Sequence, residues 1–232
     1  MRILAVDTTT PSGSVAVLED KQVLAEVGIE SPATHSVRLL SSIDVLLEGL
    51  GIGIREIDGF ALAPGPGSFT GIRIGLSTVK SFAFASGKPT ALVSSLLALA
   101  WKLGDSGDVL AAPMLDARRG EIYAALFEFR RGKPVSVIRQ GAYLPEDFLA
   151  LLPARRVVHF IGSGTGLCRS GIESLLGNRA RFSTRSPFIA AEVGRLGVDI
   201  LKAGRGVFSE AIEPLYFRKS QAEEKHQPGR AR

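Results

Sequence analysis

Short apolar runs and helical apolar stripes alternate along the first half of the chain. The segments 2–7, 14–19 and 23–27 are β-rich and separated by turn residues, so they predict a β-hairpin or meander. A helix is predicted next, because apolar residues recur at helical spacing before two glycines: Leu39, Leu40, Ile43, Leu46 and Leu47. The pattern then predicts a strand over 58–63 and helices over 69–85 and 94–103.

The same order of elements begins again in the second half. A predicted strand over 111–116 leads through a glycine-bearing turn to a return strand over 121–129. The first strand of each half ends in an aspartate, Asp7 or Asp116. We interpret this likeness as an internal duplication. The rest of the second half predicts a strand over 157–161, a glycine loop over 162–166, and helices over 167–176 and 189–203.

The duplicated plan resembles the actin/sugar-kinase/Hsp70 (ASKHA) superfamily, an α/β fold of two subdomains. The resemblance implies an N-terminal subdomain over 1–104 and a C-terminal subdomain over 105–217, followed by a basic tail over 218–232 that we expect to be disordered. In that superfamily the first turn of each half surrounds nucleotide phosphates and a metal ion held by carboxylates. The pattern suggests the architecture and does not by itself establish nucleotide binding.

Composition narrows the class of protein. A hydrophobic content of 45 % is ordinary for a globular chain, and the single cysteine, Cys168, suits a reducing compartment. We see no signal peptide and no apolar run of roughly 20 residues, so we expect a cytoplasmic protein without membrane contact. The tail from Arg218 onward carries +3 of the net charge of +5. This tail is either a disordered end or an RNA contact, and the body shows no basic stripe interleaved with aromatic residues.

The Gly/Pro loop at residues 64–68 is the most distinctive motif. One interpretation is a phosphate cradle, since backbone N–H groups at a helix N-terminus bind anions. Against it, the two prolines remove two N–H donors and no lysine follows as in a P-loop. The other interpretation is a sharp strand-to-helix turn, capped by Ser68 or Thr70.

The helix after this loop carries two stripes. Ile72, Leu76, Val79 and Ala83 suffice to face the core of the domain. The second stripe contains two glycines one turn apart, which allow another helix to approach closely, either within the same domain or from another subunit. The first predicted helix also has surplus apolar positions. We therefore predict a partner interface built from both helices: Leu39, Ile43, Leu46, Gly71, Gly75, Thr78 and Phe82.

Candidate chemistry is sparse. Asp7 and Asp116 could hold Mg²⁺ across a cleft, or each could cap its own turn through its side chain. The three histidines, at positions 35, 159 and 226, form no metal-ligand pair, and no partner is indicated for Cys168. We therefore predict no catalytic residue, no metal site and no cofactor. If the chain does bind a cofactor, Asp7 and Asp116 are the candidate residues.

Several motifs together resemble the TsaB (YeaZ) family over nearly the whole chain to about Arg218. The motifs are residues 3–9, the Thr34-His35-Ser36 helix start, the run 65–75 and the segment 115–123. The resemblance implies a non-catalytic subunit of the bacterial complex that forms threonylcarbamoyladenosine next to the anticodon of tRNA. It implies docking onto the paralogous transferase TsaD, support of the ATPase TsaE, and self-pairing through the same helices when TsaD is absent.

The resemblance also permits a check against TsaD, which holds its metal with a His-x-x-x-His helix. The matching positions here read Ser95 and Leu99, and no histidine lies between His35 and His159. The chain should therefore keep the fold without the metal chemistry and touch tRNA only through the complex. The alternatives are a kinase-like ATPase or a peptidase of the same fold, although no residue pattern supports peptide hydrolysis.

Overall fold

A computed structural model describes residues 1–30, 35–104 and 107–218. The first half forms a five-stranded sheet in which an antiparallel meander is extended by two parallel strands, in the order β3-β2-β1-β4-β5. Its elements are β1 (Arg2–Asp7), β2 (Ser12–Glu19), β3 (Gln22–Glu30), α1 (His35–Leu50), β4 (Gly59–Leu62), α2 (Phe69–Ser86), β5 (Thr90–Leu92) and α3 (Ser95–Trp101).

The second half repeats this plan, with the corresponding strand order β8-β7-β6-β9-β10. Its elements are β6 (Leu110–Arg118), β7 (Glu121–Arg130), β8 (Lys133–Tyr143), α4 (Pro145–Ala150), β9 (Val158–Ile161), α5 (Thr165–Leu176), β10 (Ala180–Phe182) and α6 (Ala190–Lys202). The predicted duplication and the ASKHA-like fold class are confirmed.

Local sequence explains how these elements begin and end. The apolar run of β1 is buried on both faces, as expected for a central strand with a parallel neighbour. Helix α2 begins after Ser68, whose hydroxyl accepts a hydrogen bond from the Gly71 amide, and it ends at Gly87 in the left-handed conformation with φ 65°. No helix among the described residues is long and apolar enough to cross a membrane.

The last helix of each half packs against the sheet of the other half. Helix α3 contacts β6 and β7, whereas α6 contacts β1, β2, β4 and β5. Both helices therefore pack across the subdomain boundary that the sequence predicts between residues 104 and 105, and that boundary stays a prediction. Of the predicted tail over 218–232, only Arg218 lies within the described residues.

This exchange creates one core shared by both halves. Apolar side chains from the facing surfaces of the two sheets meet the inner faces of α3 and α6, among them Ile3, Leu18, Leu99, Phe127, Phe129 and Val193. The outer faces of the sheets have separate cores, one under α1 and α2 and the other under α4 and α5. The relative placement of the halves is thus fixed by packed apolar surface.

Helix α6 approaches the first sheet closely because Gly197 has no side chain. A Cβ at this position would lie 2.6 Å from the Cβ of Ala61 and 3.4 Å from that of Ala91. Because such an overlap forces a shift of helix or sheet, we expect Gly197→Val to lower the free energy of unfolding by about 2–3 kcal/mol.

Urea unfolding measures this change in stability. Gly166→Val is the matched control, since a Cβ at Gly166 in α5 would meet nothing within 4 Å. Equal stability of the two variants would contradict the close approach of α6 to the first sheet.

Candidate functional site

The first turn places Asp7 at the end of β1, fully buried. Its Oδ1 accepts hydrogen bonds from the Thr9 amide at 2.9 Å and the Thr9 hydroxyl at 2.6 Å. Its Oδ2 is buried without a hydrogen-bond partner among the described residues. Burial raises the pKa of Asp7 to about 6, the bonds from Thr9 oppose this rise, and the nearby charge of Glu26 adds to it.

The second turn places Asp116 at the wall of a cleft between the halves. Its Oδ1 accepts a hydrogen bond from the Arg118 amide at 2.6 Å, and its Oδ2 lies 3.7 Å from the Arg118 guanidinium. Each aspartate thus caps its own turn, which is one of the two alternatives that the sequence left open. Unlike Asp116, Asp7 does not line the cleft.

The backbone groups of the Gly/Pro loop are bonded to the protein itself. The carbonyls of Gly65 and Pro66 accept hydrogen bonds from the amide and the hydroxyl of Ser95, at 2.9 and 2.6 Å. The Ser68 amide donates to the carbonyl of Thr9 at 2.7 Å, and the Gly65–Pro66 peptide is cis. This geometry favours the interpretation as a strand-to-helix turn over a phosphate cradle.

The two helix glycines face the first turn of the same chain. The Thr8 hydroxyl donates to the Gly71 carbonyl at 2.7 Å. A Cβ on Gly71 would lie 2.0 Å from the Thr8 carbonyl oxygen, and a Cβ on Gly75 would lie 2.3 Å from the Thr8 hydroxyl oxygen. Helix α2 therefore needs both glycines to seat against Thr8 of its own chain, and their predicted place in a partner interface stays a prediction.

The other predicted interface positions are buried or half-buried within the chain itself. Leu39, Ile43 and Leu46 are buried in the core under α1 and are not available to a partner. Phe82 is half-buried and stacks on Phe60 with ring centroids 6.1 Å apart, and Thr78 is half-buried on the same side of α2. Most of the additional apolar residues of α1 and α2 therefore pack in the core of the same chain.

A different face of α2 is exposed. Phe84 is 76 % exposed and borders a pocket of ≈ 560 Å³, which also contains Ser77, Lys80, Ser81 and Glu210. A second exposed ring, Phe208, directly precedes Ser209 at the edge of this pocket. Sequence reasoning missed this face because its one large apolar residue stands among serines. The spacing of Ser77, Ser81 and Phe84 was the available signal.

The cleft between the halves has a volume of ≈ 500 Å³. It is lined by side chains from both first turns, the start of α2 and the C-terminal segment, including Thr10, Ser68, Arg73, Asp116, Tyr123 and Arg218. The described residues that line the cleft offer guanidinium groups, hydroxyls and aromatic rings, and one carboxylate, that of Asp116.

Residues 213–218, here called the strap, cross from one half to the other beside this cleft. The Leu215 amide donates to the Pro64 carbonyl at 2.8 Å, and the Tyr216 ring lies 4.7 Å from that of Phe69. On the far side the ring of Phe217 packs on Tyr123, and Arg218 forms an ion pair with Glu121. The strap thus ties the start of α2 to β7.

The described residues contain no group of three or more His, Cys, Asp or Glu side chains placed to hold a metal ion. His159 is half-buried in β9, and burial lowers its pKa, as does the charge of Arg181. Burial raises the pKa of the Cys168 thiol, with a smaller contribution from Glu146. The side chain of His35 and the whole of His226 lie outside the described residues.

The duplicated sheets and the cleft between them define an ASKHA-like protein. A hexokinase of the ROK family from Thermus thermophilus superimposes with a TM-score of 0.52 at 11 % identity, covering 88 % of this chain and all of that chain. At that identity the likeness shows the fold alone.

Nearer relatives identify the family. TsaB from Bacillus subtilis, a tRNA threonylcarbamoyladenosine biosynthesis protein, is 32 % identical over 228 residues, covering 97 % of both chains. Its counterpart from Escherichia coli is 30 % identical and covers 96 % of both chains. The crystal structure of YeaZ from Pseudomonas aeruginosa superimposes with a TM-score of 0.79 at 28 % identity, covering 93 % of this chain and 99 % of that one.

Residues 23–165 also match the family model described as TsaD, tRNA N6-adenosine threonylcarbamoyltransferase. The chain belongs to the TsaB family of tRNA threonylcarbamoyladenosine biosynthesis proteins.

The buried carboxylate of Asp7 predicts a pH dependence of stability. Its folded pKa of about 6 lies above the 3.8 of an unperturbed aspartate, so the folded state binds this proton more tightly than the unfolded state. This preference favours folding below about pH 4 and is lost as the pH rises through 6, a change of about 3 kcal/mol. The wild type should therefore lose stability relative to Asp7→Asn between pH 4 and 7 in urea unfolding.

Asp20→Asn is the control with the opposite sign. Its hydrogen bond with Lys202 lowers the pKa of Asp20, so this carboxylate stabilises the fold above its unfolded pKa and loses that effect as the pH falls. A difference between wild type and Asp7→Asn that stays constant from pH 4 to 7 would show that Asp7 is not desolvated.

The strap predicts different effects of two truncations. Ending the chain after Arg218 retains the strap, whereas ending it after Ile212 removes two ring contacts, a backbone hydrogen bond and an ion pair. We expect the shorter chain to be destabilised by about 2–4 kcal/mol and to show faster hydrogen exchange of the Ser68 amide. Identical melting curves for the two truncated chains would contradict a bridging strap.

Proposed function

We propose that this chain is a non-catalytic subunit that docks onto the transferase TsaD, activates it and supports TsaE in forming threonylcarbamoyladenosine on tRNA. One observation carries the proposal. The chain matches the TsaD family model over 143 residues, yet this stretch contains only two histidines, His35 and His159, too far apart to form a His-x-x-x-His pair. A chain that shares the fold without that pair suits a supporting role.

The geometry of the first turns also favours this role over a kinase-like ATPase. Asp7 is fully buried, and its Oδ1 is bonded to Thr9. The loop after β4 uses its carbonyls to bind Ser95 and the strap. Among the described residues that line the cleft, the first turns contribute the carboxylate of Asp116 but not a second one, so a pair that could hold a metal ion is not seen there. A peptidase role has no comparable support. The hydroxyls of Thr9 and Ser209 donate to the carboxylates of Asp7 and Glu210, and neither pair includes a histidine base.

We assign docking to the exposed face of α2 rather than to the positions predicted from sequence. Phe84 is an aromatic anchor beside a pocket, with small serines around it that permit close approach. The adjacent α1 also exposes two apolar side chains, Leu40 and Val45. The same face would pair two copies of the chain when TsaD is absent. Because the complex acts on tRNA, we expect it in the cytoplasm.

Phe84→Glu tests the docking face. Because charge on a desolvated anchor costs at least about 2 kcal/mol of binding, we expect loss of co-elution with TsaD in size-exclusion chromatography and unchanged melting of the isolated chain. Val137→Glu, at a 51 % exposed apolar position on β8, is the matched control. Equal retention of TsaD by both variants would contradict the assignment of docking to the exposed face of α2.

A further inference from the structure

Positive charge is distributed unevenly between the halves. Residues 107–218 contain 16 Lys and Arg against 11 Asp and Glu, whereas residues 1–104 contain eight against nine. The surplus of the folded body therefore lies in the second half. Between Glu173 and Glu192 the chain has three arginines and no acidic residue.

The structure places these three arginines along one edge of the second sheet. Residues 177–186, here called the basic edge, contain the last strand β10 and the segments on either side of it. Arg181, Thr184 and Arg185 are exposed, and Arg179 is half-buried. His159 on β9 lies opposite Arg181 in the strand register. The charged side chains of the basic edge thus carry one sign of charge along an edge strand and its flanking segments.

The positive charges of two arginines of the basic edge, Arg179 and Arg181, are not neutralised by an acidic side chain among the described residues. The guanidinium of Arg181 donates to the backbone carbonyls of Asn178 and Ala180, the latter at 3.2 Å, which orients the group without neutralising it. Within the described ranges, neither Arg179 nor Arg181 has a carboxylate partner. The acidic residue that follows, Glu192, is buried and lies within ion-pair distance of Lys102 and Arg195.

Hydroxyl groups alternate with these charges. The Ser183 oxygen accepts a hydrogen bond from the Arg185 amide, and the Ser186 oxygen accepts one from the Phe188 amide. Each hydroxyl retains its own O–H for donation, as does that of the exposed Thr184. Phe182 offers no free ring for stacking on a base, because it packs on Phe160 and under the Arg169 guanidinium. Oriented guanidinium and hydroxyl donors without a stacking ring match phosphate oxygens rather than bases.

We propose that the basic edge binds the sugar-phosphate backbone of RNA. Resting on the proposed function, that RNA is the tRNA on which the complex acts, held by the second half while the first half docks the transferase. This contact lies in the folded body, which the sequence pattern had not marked as basic. The short C-terminal tail can then add to RNA binding, but the basic edge provides the main contact.

Fluorescence anisotropy of a labelled tRNA transcript tests the proposal in the complex with TsaD and on the isolated full-length chain. Removal of a single arginine–phosphate interaction should reduce the slope of log K against log salt by about one. We expect Arg181→Gln to weaken binding and lower the slope in this way, and Arg181→Lys to retain most of the affinity. Arg205→Gln, the same charge change at an exposed position after α6, should have no effect.

Four outcomes would overturn the proposal. The first is that Arg181→Gln and Arg205→Gln bind tRNA with equal affinity and equal salt slope, and the second is that Arg181→Lys binds as weakly as Arg181→Gln. The third is that Arg181→Gln melts at a lower temperature but binds tRNA as tightly as the wild type. The fourth is that the protein binds phosphatidylserine vesicles more tightly than tRNA. Co-elution with TsaD is read separately. If the chain does not co-elute with TsaD but Arg181→Gln weakens tRNA binding, the RNA surface is supported and the docking role is contradicted. If the chain co-elutes with TsaD but Arg181→Gln binds tRNA as tightly as the wild type, docking is supported and the RNA surface is contradicted.

Discussion

The insertion of α3 and α6 between the two sheets is the constraint on which the rest of the structure depends. Each helix belongs in sequence to one half and packs on the sheet of the other, so neither half can complete its core alone. The N-terminus of α6 is secured from the first sheet. The Ser14 hydroxyl accepts hydrogen bonds from the amides of Ile189 and Ala190, and Glu26 accepts one from Ala191. The cleft therefore sits between bodies that a common core holds in one arrangement.

This arrangement accounts for the state of the two first turns. Thr8 lies against the glycine face of α2, and Asp7 is drawn under Thr9 into a buried position where one carboxylate oxygen lacks a partner among the described residues. Both groups are therefore used in packing within the chain. The strap adds to these contacts, since Leu215 bonds to Pro64 of the loop and Arg218 reaches Glu121 beyond the second turn.

Much of the fold could be predicted from the sequence, because the pattern that specifies it is local. The apolar runs before Asp7 and Asp116 and the glycines ending α1 and α2 mark elements whose neighbours are close in the chain. Strand β8 could not be seen in the same way. It is an edge strand with Val135 and Val137 exposed, and Pro134 and Gly141 break its alternation. Strands β5 and β10 have three residues each, too few for a periodic signal.

The surroundings of the helix residues could not be predicted from the sequence, for a physical reason. Burial of Leu39 or Gly71 depends on which surface each helix turns toward the sheet, and the Thr8 turn that fills the glycine face comes from 63 residues earlier. Helical spacing identifies which residues share one face of a helix, but not which part of the protein packs against that face. The exchange of α3 and α6 is likewise a long-range choice, which the predicted subdomain boundary between residues 104 and 105 does not reveal.

Reconstituted transfer of the threonylcarbamoyl group to tRNA distinguishes a non-catalytic subunit from an enzyme. Product on tRNA is measured with TsaD, TsaE and threonylcarbamoyl-adenylate, in the presence and absence of this chain. We expect no product from this chain alone, weak or no product without it, and full product when it joins TsaD. Product formed by this chain without TsaD, or an equal yield whether or not it is added, would contradict its assignment as a non-catalytic docking subunit.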